Sequence, residues 1–371
     1  MLKIMQAGWQ LVLLGLVSLM VVGSLMGRTP ATLPTAITFL GEATLPSGLQ
    51  FQTTEVGGLS GITYDAQRQV YYAISDDRSQ KAPARFYTLT LDLSQGTLKS
   101  DGMAVKAVTI IQNIDGTPFP SETVDPEGIA LTRGGTLWIS SEGDARTQIA
   151  PFVRRISLQG QHLQNLPVPE KFIPTTRQGV RQNLAFESLT LTPNQRFLYV
   201  ANENALVQDG AEATLTAGSL VRIVRYRLPA NIVDAEYVYV TDPVVAPPVP
   251  ADSFNTNGLV ELLALDDRGH LLALERSFSS GVGHAVRLYR VAIKDATNVM
   301  TIASLQSPEA KTVKPVEKTL LLDLTQLGLK LTNLEGLTFG PKLPNGQRSL
   351  IIIGDNNFGS EVTQALAFAL R

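Results

Sequence analysis

The chain has no cysteine and only three histidines, His162, His270 and His284. Disulfide bonds, thiol nucleophiles and cysteine-ligated zinc are therefore excluded, and an oxidising compartment is permitted without being required. Excess charge is missing too: 31 Lys and Arg stand against 33 Asp and Glu, a formal net charge of −2. Nucleic acid as a partner would want a clearly basic surface, so none is expected. A nucleophile elbow of the form G-x-S-x-G is absent. The nearest approach, Gly58-Leu59-Ser60-Gly61-Ile62, lacks the last glycine, and its serine opens a strand rather than a strand-to-helix turn. Of the histidines, His162 and His270 fall in turns, which leaves His284 as the one candidate imidazole for catalysis; a surface histidine is its simpler reading. A serine-hydrolase triad finds little to build on.

Long apolar runs occur once, over residues 7–26, with Lys3 before and Arg28 after. That length of about 20 residues suits an export signal and also suffices to span a bilayer. Either way the body of the protein is expected outside the cytoplasm, periplasmic, extracellular or membrane-anchored, with the membrane touched only through this segment. The expected organisation is a signal peptide or anchor over 1–28, a Pro-containing linker over 29–36 and one domain over 37–371, functioning as a monomer. With 44% apolar and 17% charged residues in 371, that domain can bury a large core.

What fills the domain is a repeat. Residues 124–144, VDPEGIALTRGGTLWISSEGD, follow a plan that recurs four more times: LSGITYDAQRQVYYAISDD (59–77), FESLTLTPNQRFLYVANEN (186–204), VELLALDDRGHLLALER (260–276) and LEGLTFGPKLPNGQRSLIIIGDNN (334–357). Each copy opens on a polar or acidic residue, runs through a strand, a turn and a second strand, and closes on acids. The openers Ser60, Glu127, Glu187, Glu261 and Glu335 are 67, 60, 74 and 74 residues apart. A period of this size signals one supersecondary unit per repeat. Turn signals such as Arg133-Gly134-Gly135, Asp267-Arg268-Gly269 and Asn345-Gly346 sit where hairpins require them. Four strands can be placed in each of the first four copies, with LPVPEKFI as a weak fourth strand of the second. The fifth copy is one strand short, and the lone strand near residues 37–45 supplies it. The expected fold is all-β: a β-propeller of five four-stranded blades closed by an N-terminal strand, with six blades as the alternative because the spacings exceed the usual 40 to 50 residues per blade.

The runs SGITYD, DPEGIAL…LWISSEGD, NLAFESLTLTPNQRFLYVANENAL, ELLALDDRGHLLALERSFSSGVGHAVRLYRV and NLEGLTFGP…IIIGDNN resemble the exported phytase-like family described by esterase-like activity. The resemblance covers about residues 38–370. It implies a propeller and hydrolysis of ester or phosphoester bonds, with no substrate fixed. Phytase propellers proper have six blades and bind calcium, so the resemblance favours six where the strand count favours five.

In a propeller blade the first two strands are antiparallel, so the start of one and the end of the other lie at the same end of the molecule. The opening and closing acids should therefore meet on one face. The inner ring would hold Glu127, Glu187, Glu261 and Glu335, and the next would hold Asp76, Glu142 and Asp355 among others. Crowded carboxylates need a counter-charge from a metal, protons or basic groups. Hard oxygen ligands point to Ca²⁺, with Mg²⁺ second. Arg85, Arg154, Arg222 and Arg287 recur where third strands begin and would suit a small anionic or ester substrate. The plain alternative is a salt bridge inside each blade. Two functional readings follow: a Ca²⁺-dependent hydrolase in which Glu127, Glu187 and Glu335 hold metal or water, and a non-enzymatic propeller whose acidic face binds a ligand or a cell-envelope partner.

Overall fold

Strand patterning decides the architecture. The computed structural model describes residues 33–34 and 36–371, so the export-signal segment and most of the linker lie outside the described residues. Strand β1 (Ile37–Leu45) comes first, then a short ribbon of β2 (Gln50–Phe51) and β3 (Thr54–Glu55). Blade one is β4 (Leu59–Asp65), β5 (Val70–Ser75), β6 (Arg85–Leu91) and β7 (Met103–Ile110). Blade two is β8 (Pro126–Leu131), β9 (Thr136–Ser141), β10 (Phe152–Ser157) and β11 (His162–Asn165). Blade three is β12 (Phe186–Leu191), β13 (Phe197–Asn202), β14 (Leu220–Arg227) and β15 (Ile232–Val240). Blade four is β16 (Asn255–Ala264), β17 (His270–Ser279), β18 (Gly283–Ala292) and β19 (Glu317–Asp323), and blade five is β20 (Asn333–Lys342), β21 (Arg348–Asp355) and β22 (Thr363–Leu370) completed by β1. The five-bladed count holds and the six-bladed alternative falls. The surplus length per repeat goes into loops, such as the one between β18 and β19 that contains the short turn Pro308–Thr312. No α-helix occurs among the described residues, and none of their helical turns is long and apolar enough to cross a membrane.

The second strand of each blade explains the packing. In β21, Leu350 and Ile352 enter the core shared with blade four, while Ile351 and Ile353 enter the core shared with blade one. The same alternation sends Leu198 and Val200 one way from β13, and Tyr199 and Ala201 the other. Strands buried on both faces read as continuous apolar runs, which is why SLIII and HLLAL show no polar alternation. Each blade interface thus carries its own hydrophobic core.

The weak fourth strand expected at LPVPEKFI is not one. The outer strand of blade two ends at Asn165, because Pro167 and Pro169 lack the N–H a ladder needs, and Glu170–Phe172 turns instead.

Closure works as the repeat arithmetic requires. β1 pairs antiparallel with β22 from Ile37↔Leu370 to Leu45↔Thr363, joining the two ends of the chain within one sheet. Without β1, β22 becomes an open edge of buried residues. Deleting residues 37–45 is expected to lower the melting temperature far more than deleting residues 1–28. Equal melting temperatures for the two deletions would contradict closure by β1.

Candidate functional site

One defect, repeated in all five blades, builds the site. The first and second strands pair in register up to Leu59↔Ser75, Pro126↔Ser141, Phe186↔Asn202, Leu259↔Glu275 and Leu334↔Gly354, and each first strand breaks register immediately after that pair. A β-bulge re-aims the side chain it carries. The residues after these five paired positions are Ser60, Glu127, Glu187, Val260 and Glu335. On the second strands the following residues are Asp76, Glu142, Glu203, Arg276 and Asp355.

Blade four is therefore one residue out of step with the sequence repeat. Val260 takes the bulge position expected of Glu261. Glu261 falls where blades one, two and five have Gly61, Gly128 and Gly336. Those glycines are required by close approach: a Cβ on Gly128 would meet Leu189 Cβ at 2.6 Å, and one on Gly336 would meet the Ser60 carbonyl at 2.3 Å. At the corresponding place Glu261 accepts hydrogen bonds from the Leu189 and Leu262 amides, at 3.0 and 2.9 Å, and ties blade four to blade three. It does not join the acids of the ring.

The other expected acids converge. Asp76, Glu127, Glu187 and Glu335 line a cavity of about 740 Å³, with Asp125, Glu203 and Arg276 beside them. Glu142 and Asp355 are buried close to these acids. Glu142 accepts from the Ala185 amide. Asp355 meets no donor in good hydrogen-bond geometry among the described residues, although the Asn333 side chain and the Gly58 and Asn357 amides lie near enough to oppose the rise in its pKa. Asp125, Glu127 and Glu142 each offer one oxygen, all within 4.8 Å of one another. Two oxygens bound to one calcium at about 2.3–2.6 Å can be no farther apart than about 5 Å, so the triad fits such an ion.

Two arginines partly balance this charge. Arg276 Nη2 lies 2.9 Å from Glu335 Oε1 and 3.5 Å from Glu203 Oε1, and Asn333 donates to the same Glu335 oxygen at 2.7 Å. Arg78 Nε lies 3.3 Å from Asp125, and its Nη2 bonds Asp144. The remaining carboxylates are held toward their protonated forms. Burial raises Glu127, Glu142, Glu187 and Asp76 well above the usual carboxylate range, and their acidic neighbours push the same way. Burial lifts Asp125, Glu203 and Asp355 to about 7, with Arg78 opposing the rise at Asp125 and Arg276 opposing it at Glu203.

The four expected substrate arginines are elsewhere. Arg85 is fully buried, with Nη1 2.7 Å from Asp77 and Nε donating to Tyr87 at 2.7 Å. Arg222 is clasped by Asp209 at 2.6 and 2.9 Å and by Glu236 at 2.9 Å. Arg287 pairs with Asp323 at 3.1 Å, and Arg154 lies 3.9 Å from the centre of the Phe152 ring and donates to Asn113. None lines the cavity; Arg85, Arg222 and Arg287 form salt bridges, but with Asp77, with Asp209 and Glu236, and with Asp323 and Asp242, and not as the expected pairs of Arg85 with Asp76 and Arg287 with Glu275. The cations that do line it are Arg78, Lys81 and Arg276.

His284 does stand at the cavity, on β18, packed against Phe278 with ring centres 4.8 Å apart. Burial, with Arg276 and Lys330 nearby, lowers its pKa to about 4, so the imidazole is neutral at pH 7. Residues not anticipated are Asp125, Arg78 and Arg276. Asp125 was visible two residues before Glu127 in VDPEG, whereas Arg276 needed the true register of blade four.

A model of the phytase-like family, described by the esterase-like activity of phytase, matches residues 54–358. An uncharacterized secreted protein of Arthroderma benhamiae is 28% identical over 113 residues, 24% of this chain and 21% of that protein, so the match spans about a fifth of that relative's length. Among solved structures, an endo-arabinase from Bacteroides thetaiotaomicron VPI-5482 is similar with a TM-score of 0.47 and 12% identity, over 86% of this chain and 96% of that one. The Dos1 propeller gives 0.34 and 7%, over 84% and 68%.

Two outcomes follow from the charge balance. Carboxylates with raised pKa bind more protons folded than unfolded, so stability falls as pH rises from about 4 through about 7. Calcium should reverse that fall, raising the melting temperature at pH 7.5 much more than at pH 5; an equal calcium response at the two pH values would contradict it. Arg276→Gln strands Glu203 and Glu335, and breaking such a buried pair costs about 3–5 kcal/mol. In urea unfolding the loss should be large at pH 7.5 and smaller at pH 5, where Glu203 takes up a proton. The same loss at both pH values would show that Arg276 acts through packing alone.

Proposed function

This chain belongs to the phytase-like family, and on that premise we propose that it is an exported, divalent-cation-dependent hydrolase of ester or phosphoester bonds. The observation that carries the proposal is the Asp125, Glu127 and Glu142 triad, whose oxygens lie within 4.8 Å of one another and of which Asp125 and Glu127 line the cavity. Export draws support from the apolar N-terminal run and from the relative described as secreted.

The donor set is all carboxylate oxygen, which selects calcium over softer metals, with magnesium second. A cation held there supplies Lewis acidity toward the ester oxygen and acidifies a water molecule. Glu187, on the neighbouring bulge, faces the same cavity; a cation held beside it would offset the acidic neighbours that raise its pKa, and in its ionised form it is the base that would take the proton from the attacking water. Its position on a bulge fixed by strand pairing on either side holds the carboxylate in place without a mobile loop. Arg276 lies between Glu335 and Glu203 and offsets one of their two charges, and the raised pKa of Glu203 lets a proton offset the other. His284, held neutral by burial and packed on Phe278, forms part of the cavity wall.

Metal analysis of the purified protein should find bound calcium, and a panel of carboxylic and phosphoric esters read by pH-stat should show turnover that chelator abolishes and calcium restores. Glu187→Gln keeps the shape and removes the base, and should lower kcat by about 10²–10⁴-fold. Full activity in chelator, or in Glu187→Gln, would refute the mechanism.

A further inference from the structure

Blade four differs from the others above the acidic ring. In blades one, two and three the pairing of the first two strands stops at Leu59↔Ser75, Pro126↔Ser141 and Phe186↔Asn202. In blade four it continues for four more pairs past Leu259↔Glu275, to Asn255↔Ser279, and Ser280 then donates to the Phe254 carbonyl at 2.9 Å. At about 3.3 Å per residue the hairpin rises about 13 Å beyond the ring. Side chains alternate along a strand, so Phe278, two residues past Arg276, faces the cavity as Arg276 does. Thr256 is its partner on β16, and His284 is its partner on β18. Phe254 lies beyond Thr256, with its ring 6.1 Å from that of Phe278, and is 65% exposed. The cavity thus has an acidic floor and an aromatic wall raised on regular strands, and Phe358, with Lys81 Nζ 5.1 Å from its ring centre, also lines it.

The side chains of the floor and rim do not by themselves favour a polyanion. Arg276 is committed to Glu335 and Glu203, and Arg78 to Asp125 and Asp144. Of the cations lining the cavity, that leaves Lys81, which is 3.4 Å from Glu55. No free guanidinium among the described lining residues offers the fork that a phosphate would take. An exposed phenylalanine beside a second ring and a neutral imidazole is instead a stacking surface for a flat apolar group.

Resting on the hydrolase reading above, we propose that the substrate is a carboxylic ester carrying an aromatic group, which stacks on the wall of Phe254, Phe278 and His284 while the ester reaches the acidic floor. Ester cleavage by water breaks the acyl C–O bond, gives the acid and the alcohol, and needs no further co-reactant.

The test uses the full chain with calcium and compares phenyl acetate, ethyl acetate and p-nitrophenyl phosphate by pH-stat, in wild type and Phe254→Ala. Phe254 is exposed, so the variant folds. A second arm titrates 2-naphthol, which cannot be hydrolysed, and follows its fluorescence. The expected result is that Phe254→Ala lowers kcat/KM for phenyl acetate about tenfold more than for ethyl acetate, and weakens 2-naphthol binding about tenfold, equivalent to about 1.4 kcal/mol. Faster turnover of p-nitrophenyl phosphate than of phenyl acetate would overturn the aromatic-ester assignment and leave the hydrolase reading standing. If no ester of either kind is hydrolysed, the hydrolase reading fails; unchanged 2-naphthol affinity in Phe254→Ala would then overturn the aromatic site as well.

Discussion

Carboxylates brought together out of water cannot all remain charged, and the centre of this propeller is arranged around that constraint. Asp76, Asp125, Glu127, Glu142, Glu187, Glu203, Glu335 and Asp355 are packed within one region, each with its pKa raised by burial. Arg276 answers for the side formed by Glu203 and Glu335, and Arg78 answers for Asp125 from the rim. Among the described residues the Asp125, Glu127 and Glu142 side has no such internal cation at its centre, and Asp355 has no cation of its own. What balances them is either protons or a bound ion. The two choices have opposite consequences for pH and calcium, which makes the arrangement informative about chemistry and not only about stability.

Such crowding persists because the surrounding framework over-determines it. Each blade is locked to its neighbours by a separate apolar core fed from both faces of its second strand. Close approach of the first strands at Gly61, Gly128 and Gly336 leaves no room for a side chain. The acids are placed by bulges whose flanking residues are paired, so relaxing the repulsion would mean breaking a ladder. The ring is closed by β1 against β22, and the stability invested there holds an otherwise unfavourable site in place.

The fold was legible because the repeat carries it: five copies, a missing strand at one end and a spare strand at the other. That the acids share one face also followed from antiparallel pairing alone. Three things were not legible, each for a physical reason. LVELLAL is buried on both faces, so its hydrophobicity has no phase, and Glu261 was aligned with the ring in place of Val260. Aligning one residue off also hid Arg276 in the place of a carboxylate. The arginines that open third strands would face the cavity by the repeat alone, but Arg85 and Arg222 point into their own blades, toward Asp77 and Asp209, supplied by loops whose path the sequence does not reveal, and toward Glu236 on the outer strand β15. The aromatic wall depends on how far a hairpin continues, and Asn255 to Ser279 contains no signal that marks where the other blades stop.

The claim on which the rest depends is that a cation occupies the acidic centre on the Asp125 side. Crystals grown with calcium, measured at a wavelength where calcium scatters anomalously, would decide it. An anomalous peak about 2.3–2.6 Å from oxygens of Asp125, Glu127 and Glu142 is the predicted result. A well-ordered map with those carboxylates hydrogen-bonded to one another and no anomalous peak among them would contradict it, and the ring would then be balanced by protons and Arg276 alone.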